Sequence, residues 1–171
     1  MRNCPICCKL SENLFDITNI KLSLVDGISL NDKLNVKLCD DCKFYYSDSN
    51  NTQDDYNNYY MSFNNYQQQS YSPDKDERCA NFIRKMKKNE EIQTVIDYGS
   101  GNGVLANLLS ETFIVDKFDI GMDVNNKKYD CLILSHVLEH IYDLNSFINE
   151  FSKNINDNGL LYIEVPIIHK S

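Results

Sequence analysis

Long apolar runs are missing from this 171-residue chain. No stretch approaches the ~18 residues that a membrane-spanning helix requires, so no bilayer crossing is expected. Residues 1–20 carry neither the basic start nor the apolar core of a secretory signal. Basic charge is also short: 17 Lys+Arg face 25 Asp+Glu, for a net charge of −8 and a pI near 4.8. Sequence-independent binding of nucleic acid needs clustered cations to replace phosphate counterions, and this balance opposes it. The expectation is a soluble cytoplasmic protein with neither a nucleic-acid nor a membrane partner. Glycine is scarce as well, at six residues, so a place where three of them gather carries weight. The 42% hydrophobic content is ample for a folded core.

Cysteine, by contrast, is plentiful. Seven are present, and Cys4, Cys7, Cys8, Cys39 and Cys42 fall within the first 42 residues. Without a secretory segment, a metal site is a better reading than a disulfide framework. CPIC at 4–7 and CDDC at 39–42 are two CxxC pairs, a spacing that lets a tight turn aim two thiolates at one ion. Two such turns complete a tetrahedral Zn²⁺ shell of Cys4, Cys7, Cys39 and Cys42. A closed four-thiolate site leaves no open position, so the metal is expected to be structural. Cys8 is an alternative ligand that occupies a slot where glycine is usual. A redox pair is the weaker alternative, because no helix signal follows either pair. Cys79 and Cys131 fall in a predicted helix and strand and read as core thiols.

Composition divides the chain into a zinc-binding module (1–47), a Tyr/Asn-rich connector and helix (48–90), and an α/β region (91–171). Short strands are expected around Ile20–Leu24 and Asn35–Leu38. Residues 48–73 are dominated by Asn, Gln, Asp, Ser and Tyr, and read either as a linker or as a helical connector. In the second case Tyr56, Tyr59, Tyr60, Phe63 and Tyr66 lie near one side. Cys79, Phe82, Ile83 and Met86 recur at helical spacing and predict an amphipathic helix over 74–89. Beyond it, strands are expected at 94–98, 113–118, 131–134 and 160–165. A helix follows Gly103, and another begins at an Asp143 cap, buries Leu144, Phe147, Ile148 and Phe151, and stops at Gly159. Alternating strands and helices imply a parallel sheet with right-handed crossovers.

The segment VIDYGSGNGVLANLL (95–109) spends three of the six glycines between a buried strand and a helix. Gly99, Gly101 and Gly103 permit a sharp turn and close approach of a ligand to the backbone. The Lys-Ser/Thr ending of a phosphate loop is absent. Asp97 at the strand end would oppose a pyrophosphate but suits a cationic amino group. An acidic residue about 20 positions on can accept ribose hydroxyls; Asp119 fits, with Asp116 as competitor. These features point to S-adenosylmethionine.

The segment resembles motif I of the class I S-adenosylmethionine-dependent methyltransferases, and residues 131–166, with HVLEH at 136–140, are similar to the later motifs. The zinc module, Tyr-rich connector and HVLEH together resemble the zinc-containing sugar C-methyltransferases of sugar and surface-polysaccharide biosynthesis. The resemblance implies a shortened Rossmann-like α/β fold. It places Asp97, Gly99, Ser100, Gly101 and Gly103 around the methionine part of the cofactor and Asp119 at the ribose. Ser135 and His136 would lie near the reactive methyl, with Tyr60 and Tyr66 as covering tyrosines. The implied acceptor is a small sugar-type molecule. His136 reads either as a general base for that acceptor or as a structural residue. Glu139 and His140 read as groups that hydrogen-bond the loops around the sheet end.

The pattern also departs from the resemblance. Only nine residues separate Asp119 from Tyr129, where the family usually fits a helix and a strand that supply the adenine-binding carboxylate; Asp123 is a weak substitute. The expected sheet has about four strands in the order 2-1-3-4. Its exposed edge calls for a helix, a partner or a second copy as cover. The competing expectation is a catalytically inactive methyltransferase-fold binding or scaffolding protein.

Overall fold

The computed structural model describes residues 2–10, 14–16, 35–48, 51–62, 73–87, 91–120, 122 and 126–166. The chain forms two compact units, one comprising Met1–Asn64 with Ile141–Phe147, the other Asn65–His140 with Ile148–Ser171. The expected strand around Ile20–Leu24, as well as Phe63, Tyr66 and Asp123, lies outside the described residues.

In the first unit, β1 (Leu14–Asp16), β2 (Asn35–Leu38) and β3 (Tyr45–Ser47) form an antiparallel meander in that order. Its two cysteine turns share one geometry. Cys8 N–H donates to Cys4 O at 2.9 Å and Lys43 N–H to Cys39 O at 3.0 Å. Cys8 and Lys43 both sit at a φ of 60°, the left-handed conformation that explains why glycine is usual there. Lys37, which is buried, pairs with Asp48 at 2.9 Å. Within the connector, Gln53–Ser62 form the helix α1. Thr52 caps it reciprocally, its hydroxyl accepting the Asp55 N–H while the Asp55 carboxylate accepts the Thr52 N–H at 2.7 Å.

In the second unit, β4 (Thr94–Tyr98), β5 (Ile114–Phe118), β6 (Tyr129–Ser135) and β7 (Ile155–Glu164) form a parallel sheet in the order β5-β4-β6-β7. This is the expected 2-1-3-4 arrangement and establishes an α/β fold. Helices α2 (Pro73–Met86) and α3 (Val104–Ser110) pack on one face. There Cys79, Ala80, Ile83, Leu105 and Leu109 close over Val95, Cys131 and Ile133. Each such buried aliphatic side chain contributes about 1.5–3 kcal/mol. Cys79 and Cys131 are core thiols, and burial pushes both up to about 12. Among the described residues, no helix is long and apolar enough to cross a membrane.

Three local expectations are corrected. Phe82 is half-exposed and rests against the Tyr162 ring at 5.5 Å instead of filling the α2 core. On α4 (Leu144–Phe151), Leu144 and Phe151 are buried but Ile148 is exposed. Gly159 does not stop that helix. Asp143 does cap it, accepting the Ser146 N–H at 3.0 Å, but α4 ends at Phe151 in a 3₁₀ turn over Ser152–Asn154. Gly159 lies inside β7, where Tyr129 pairs with Ile155 and Cys131 next pairs with Leu160. The extra β7 residues bulge out there, and a Cβ at Gly159 would meet Asn156 O at 2.9 Å.

Candidate functional site

The strand order reverses direction at β4, between β5 on one side and β6 on the other, and ligands of open α/β sheets bind beyond the carboxyl ends at such a point. The glycine loop sits there. Gly99, Gly101 and Gly103 all have positive φ, at 81°, 50° and 76°. Their surroundings differ. A Cβ at Gly99 would lie 2.5 Å from Val137 Cγ2, and one at Gly103 would crowd the Lys117 side chain at 3.2 Å. At Gly101 a Cβ would meet nothing within 4 Å. That open side is where a ligand can approach the backbone. The loop is tied to β5: Gly99 and Ser100 N–H donate to Phe118 O, and Gly101 N–H donates to Asp119 Oδ2 at 2.6 Å.

Two polar atoms at the loop are buried without a hydrogen-bond partner, Asp97 Oδ2 and Ser100 Oγ. Asp97 is almost wholly enclosed. Burial first, then the nearby Asp76 and Asp119 carboxylates, raise its pKa to about 7, against Lys75 and the Ala106 N–H. A buried orphan carboxylate oxygen is costly unless a ligand completes it. A cationic amino group does so, and this donor set therefore fits S-adenosylmethionine. Asp119 takes the Gly101 N–H on one oxygen and the Ile120 N–H on the other, at 2.6 and 2.7 Å. Each oxygen keeps a lone pair for a ligand hydroxyl. Asp116 is engaged instead by Lys127 at 2.9 Å and the Tyr129 hydroxyl at 2.6 Å, so it does not join the loop.

At the ends of β6 and β7 a second group of side chains meets. Ser135 Oγ donates to Glu164 Oε2 at 3.3 Å, and the Tyr162 hydroxyl donates to the same oxygen at 3.1 Å. His136 holds a φ of 57°, an unusual state for a non-glycine residue that clusters at functional positions. Its N–H continues the ladder to Glu164 O at 2.8 Å. Its Nδ1 lies 3.2 Å from Glu139 Oε1 and its Nε2 4.0 Å from Glu164 Oε1. Glu139 thus faces the His136 imidazole from within the same loop, and His140 lies 4.0 Å from the same oxygen. Burial lowers the His140 pKa, and Glu139 opposes the shift. Asp76 on α2 feels both His136 and Glu164, and its pKa is raised, chiefly by burial.

Glu164, Tyr162 and Asp76 escaped the sequence reading. Tyr162 and Glu164 are two apart at the carboxyl end of a parallel strand, so the period of two and the location of ligand sites in such sheets together would have flagged them. Of the two candidate covering tyrosines, Tyr60 lies on α1 with its ring edge-on to Tyr59 at 5.5 Å. Tyr66 is among the residues not described.

The four metal candidates come together in the first unit. Cys4, Cys7, Cys39 and Cys42 place their Sγ atoms within 4.8 Å of one another, with Cys4–Cys42 at 3.5 Å and Cys7–Cys39 at 3.4 Å. Zn–S bonds of ~2.3 Å in a tetrahedron set sulfurs roughly 3.8 Å apart, so the cluster suits that ion. Cys8 is exposed and outside the group. The thiols share their protons unequally: the Cys42 backbone N–H leads in lowering Cys39 to about 7. Against the Lys9 and Phe44 N–H groups, the neighbouring thiols and burial raise Cys7 and Cys42, Cys42 to about 12; a bound metal would replace those protons.

Comparison with curated proteins and with solved structures yields no match. A family model described as a methyltransferase domain matches residues 66–169. That span carries the glycine loop, all four parallel strands and the Ser135–Glu164 group. The match covers more than half of the chain, and the chain therefore belongs to this methyltransferase domain family.

Proposed function

We propose that the protein is an S-adenosylmethionine-dependent methyltransferase acting on a small sugar-type acceptor, with structural zinc in its four-cysteine module. The observation that carries this reading is the buried, unpartnered Asp97 oxygen beside a glycine loop that is open at Gly101. When bound, the cofactor supplies a methyl group on a sulfonium, which is already a good leaving group. Asp97 would take its ammonium, the loop from Gly99 to Gly103 would cradle the methionine part, and Asp119 would accept the ribose hydroxyls. Ser135 and His136 would face the acceptor, with His136 Nε2 as the base and Glu139 as the group that orients the ring. Cover by Tyr60 and Tyr66 and the sugar-type acceptor rest on the resemblance alone.

Calorimetric titration of the zinc-loaded chain with S-adenosylmethionine and S-adenosylhomocysteine tests the reading. Micromolar binding at one site is expected, and a folded, zinc-replete chain that binds neither would overturn it. Binding without transfer to any small acceptor, sugars and amino sugars included, would leave a non-catalytic binding protein as the better reading. As partner we propose a second copy across the β7 edge, where Leu161, Ile163 and Val165 are exposed at alternate positions. Sedimentation equilibrium showing only monomers would remove that proposal.

A further inference from the structure

We infer that Glu164 selects an amine as the group to be methylated, a reading that rests on His136 facing the acceptor. Glu164 Oε2 is already committed to two donors, the hydroxyls of Ser135 and Tyr162. Its other oxygen, Oε1, lies 4.0 Å from His136 Nε2. That gap is too long for a direct hydrogen bond, but two bonds of about 2.9 Å from one bridging atom close over it. The bridging atom must satisfy two acceptors. A carboxylate only accepts, and an imidazole whose Nδ1 proton is held by Glu139 at 3.2 Å presents Nε2 as an acceptor as well.

A single hydroxyl has one hydrogen and can serve only one of the two. An amine has two N–H bonds for them and keeps its lone pair free. The surrounding charge points the same way. Asp76 lies within electrostatic range of His136 and Glu164, Glu139 lies against His136, and the chain carries a net charge of −8, with Lys75 beside Asp76 as the nearby counter-charge. Such a field gathers amines in their ammonium form and repels phosphates; an ammonium has no lone pair, so it gives one proton to solvent before the neutral amine takes up the bridge. The reaction balances. The amine lone pair forms the N–C bond as the C–S bond of the methylsulfonium donor breaks, and sulfur leaves with that electron pair. The alkylated nitrogen then sheds one proton to His136 Nε2, while Glu164 holds the remaining N–H.

The test follows the His136 ring nitrogens by ¹⁵N NMR while methylammonium chloride is titrated into the zinc-loaded chain. Tetramethylammonium chloride supplies a cation without N–H, and ethylene glycol supplies paired hydroxyls. A saturable shift with methylammonium, weakened at least tenfold in Glu164→Gln and absent with tetramethylammonium, is the expected result. No saturable response to methylammonium, an equal response to tetramethylammonium, or a stronger one to ethylene glycol each overturns the assignment. The wild-type titrations decide this even if the variant folds poorly. S-adenosylhomocysteine affinity, measured on the same samples, reports separately on the methyltransferase reading, so the two can fail independently.

Discussion

Asp119 Oδ2 accepts the Gly101 N–H at 2.6 Å, so the carboxylate assigned to the ribose also holds the middle of the glycine loop in place. On the proposed reading, position and ligand binding are coupled at one side chain. Replacing Asp119 with Ala removes a charge-assisted hydrogen bond of about 1.5–3 kcal/mol together with the ribose contact. Calorimetry should show S-adenosylhomocysteine binding at least tenfold weaker. Undiminished affinity would mean that the loop and the ribose are held by other groups.

The glycines of the loop should respond unequally to substitution. Gly99→Ala drives a methyl to within 2.5 Å of Val137 Cγ2, and in the left-handed region it adds strain of roughly 1–2 kcal/mol; its main effect should be a lower melting temperature. Gly101→Asp has open space for its Cβ and meets only the left-handed strain of a φ of 50°, which Asp bears better than most residues, so the loss of melting temperature should be the smaller of the two. Its side chain would enter the ligand's approach, and cofactor binding should be lost. Melting curves and titrations of the two variants separate these outcomes, and unchanged affinity in Gly101→Asp would refute the use assigned to the loop.

With Asp97 as the proposed partner of the cofactor ammonium, binding should depend on pH. Its folded pKa, raised to about 7 from 3.8 chiefly by burial, leaves the carboxyl largely protonated below neutrality in the ligand-free chain. A bound ammonium favours the ionised form, so binding in that range releases a proton. Affinity should rise from pH 5.5 toward 7 and level off above it, with heats that vary with the ionisation enthalpy of the buffer. The same shift sets the ligand-free stability: the folded state holds a proton that the unfolded state loses near pH 3.8, so stability should fall as pH rises from 4 to 7. Asp97→Asn should flatten both profiles. A pH-independent affinity in the wild type would place the ammonium elsewhere.

Much of this site could be read along the chain because each part repeats a local rule. The strand, the three glycines and the helix are contiguous, and turns of CxxC spacing aim their thiolates without help from distant residues. The Asn/Tyr-rich connector was ambiguous because tyrosine spacing fits a helix while the composition fits a linker; over Gln53–Ser62 the Thr52–Asp55 cap decides for the helix. Gly159 misled because a helix end and a bulged strand use glycine for the same freedom, and only the pairing of Leu160 with Cys131 tells them apart. Glu164 and Tyr162 gain their meaning from β6, which lies far away in the chain.

Asp130 was silent in the sequence and is a structural hub. Its carboxylate accepts the Gln93 N–H at 3.0 Å, the Thr94 N–H at 2.9 Å, the Thr94 hydroxyl at 2.8 Å and the Asn156 amide at 2.8 Å. It thereby joins the start of β4 to β6 and the β7 bulge. These bonds, led by the Thr94 N–H, outweigh burial and lower its pKa. Its stabilisation is thus complete above the unfolded-state value and is lost as pH falls through the lower folded value. Asp130→Ala should cost on the order of 2–3 kcal/mol in urea unfolding at pH 7. A loss below about 0.5 kcal/mol would show that water replaces the bonds at little cost.

Metal removal should be felt well beyond the four thiolates. The Arg2 N–H donates to Asp48 Oδ1 at 2.6 Å and its Nη1 to Ser47 O at 3.3 Å, while the guanidinium lies 3.9 Å from the Tyr142 ring centroid. Asn145 donates to Pro5 O, inside the first cysteine turn, at 2.9 Å, and Tyr142 N–H donates to Gln53 Oε1 at 2.7 Å. Residues 141–147 are therefore bound to the cysteine module, although they directly follow HVLEH in the chain. If zinc closes the two turns, chelation frees Pro5 and Arg2 and releases this segment. Hydrogen exchange at residues 142–147 should quicken at least tenfold on chelation and recover when Zn²⁺ is restored at one ion per chain. Arg2→Leu in the loaded protein should reproduce part of the effect, since it removes a cation–π contact of about 0.5–2 kcal/mol and leaves the thiolates intact. Exchange that ignores the metal would show that the segment is held without the cysteine turns.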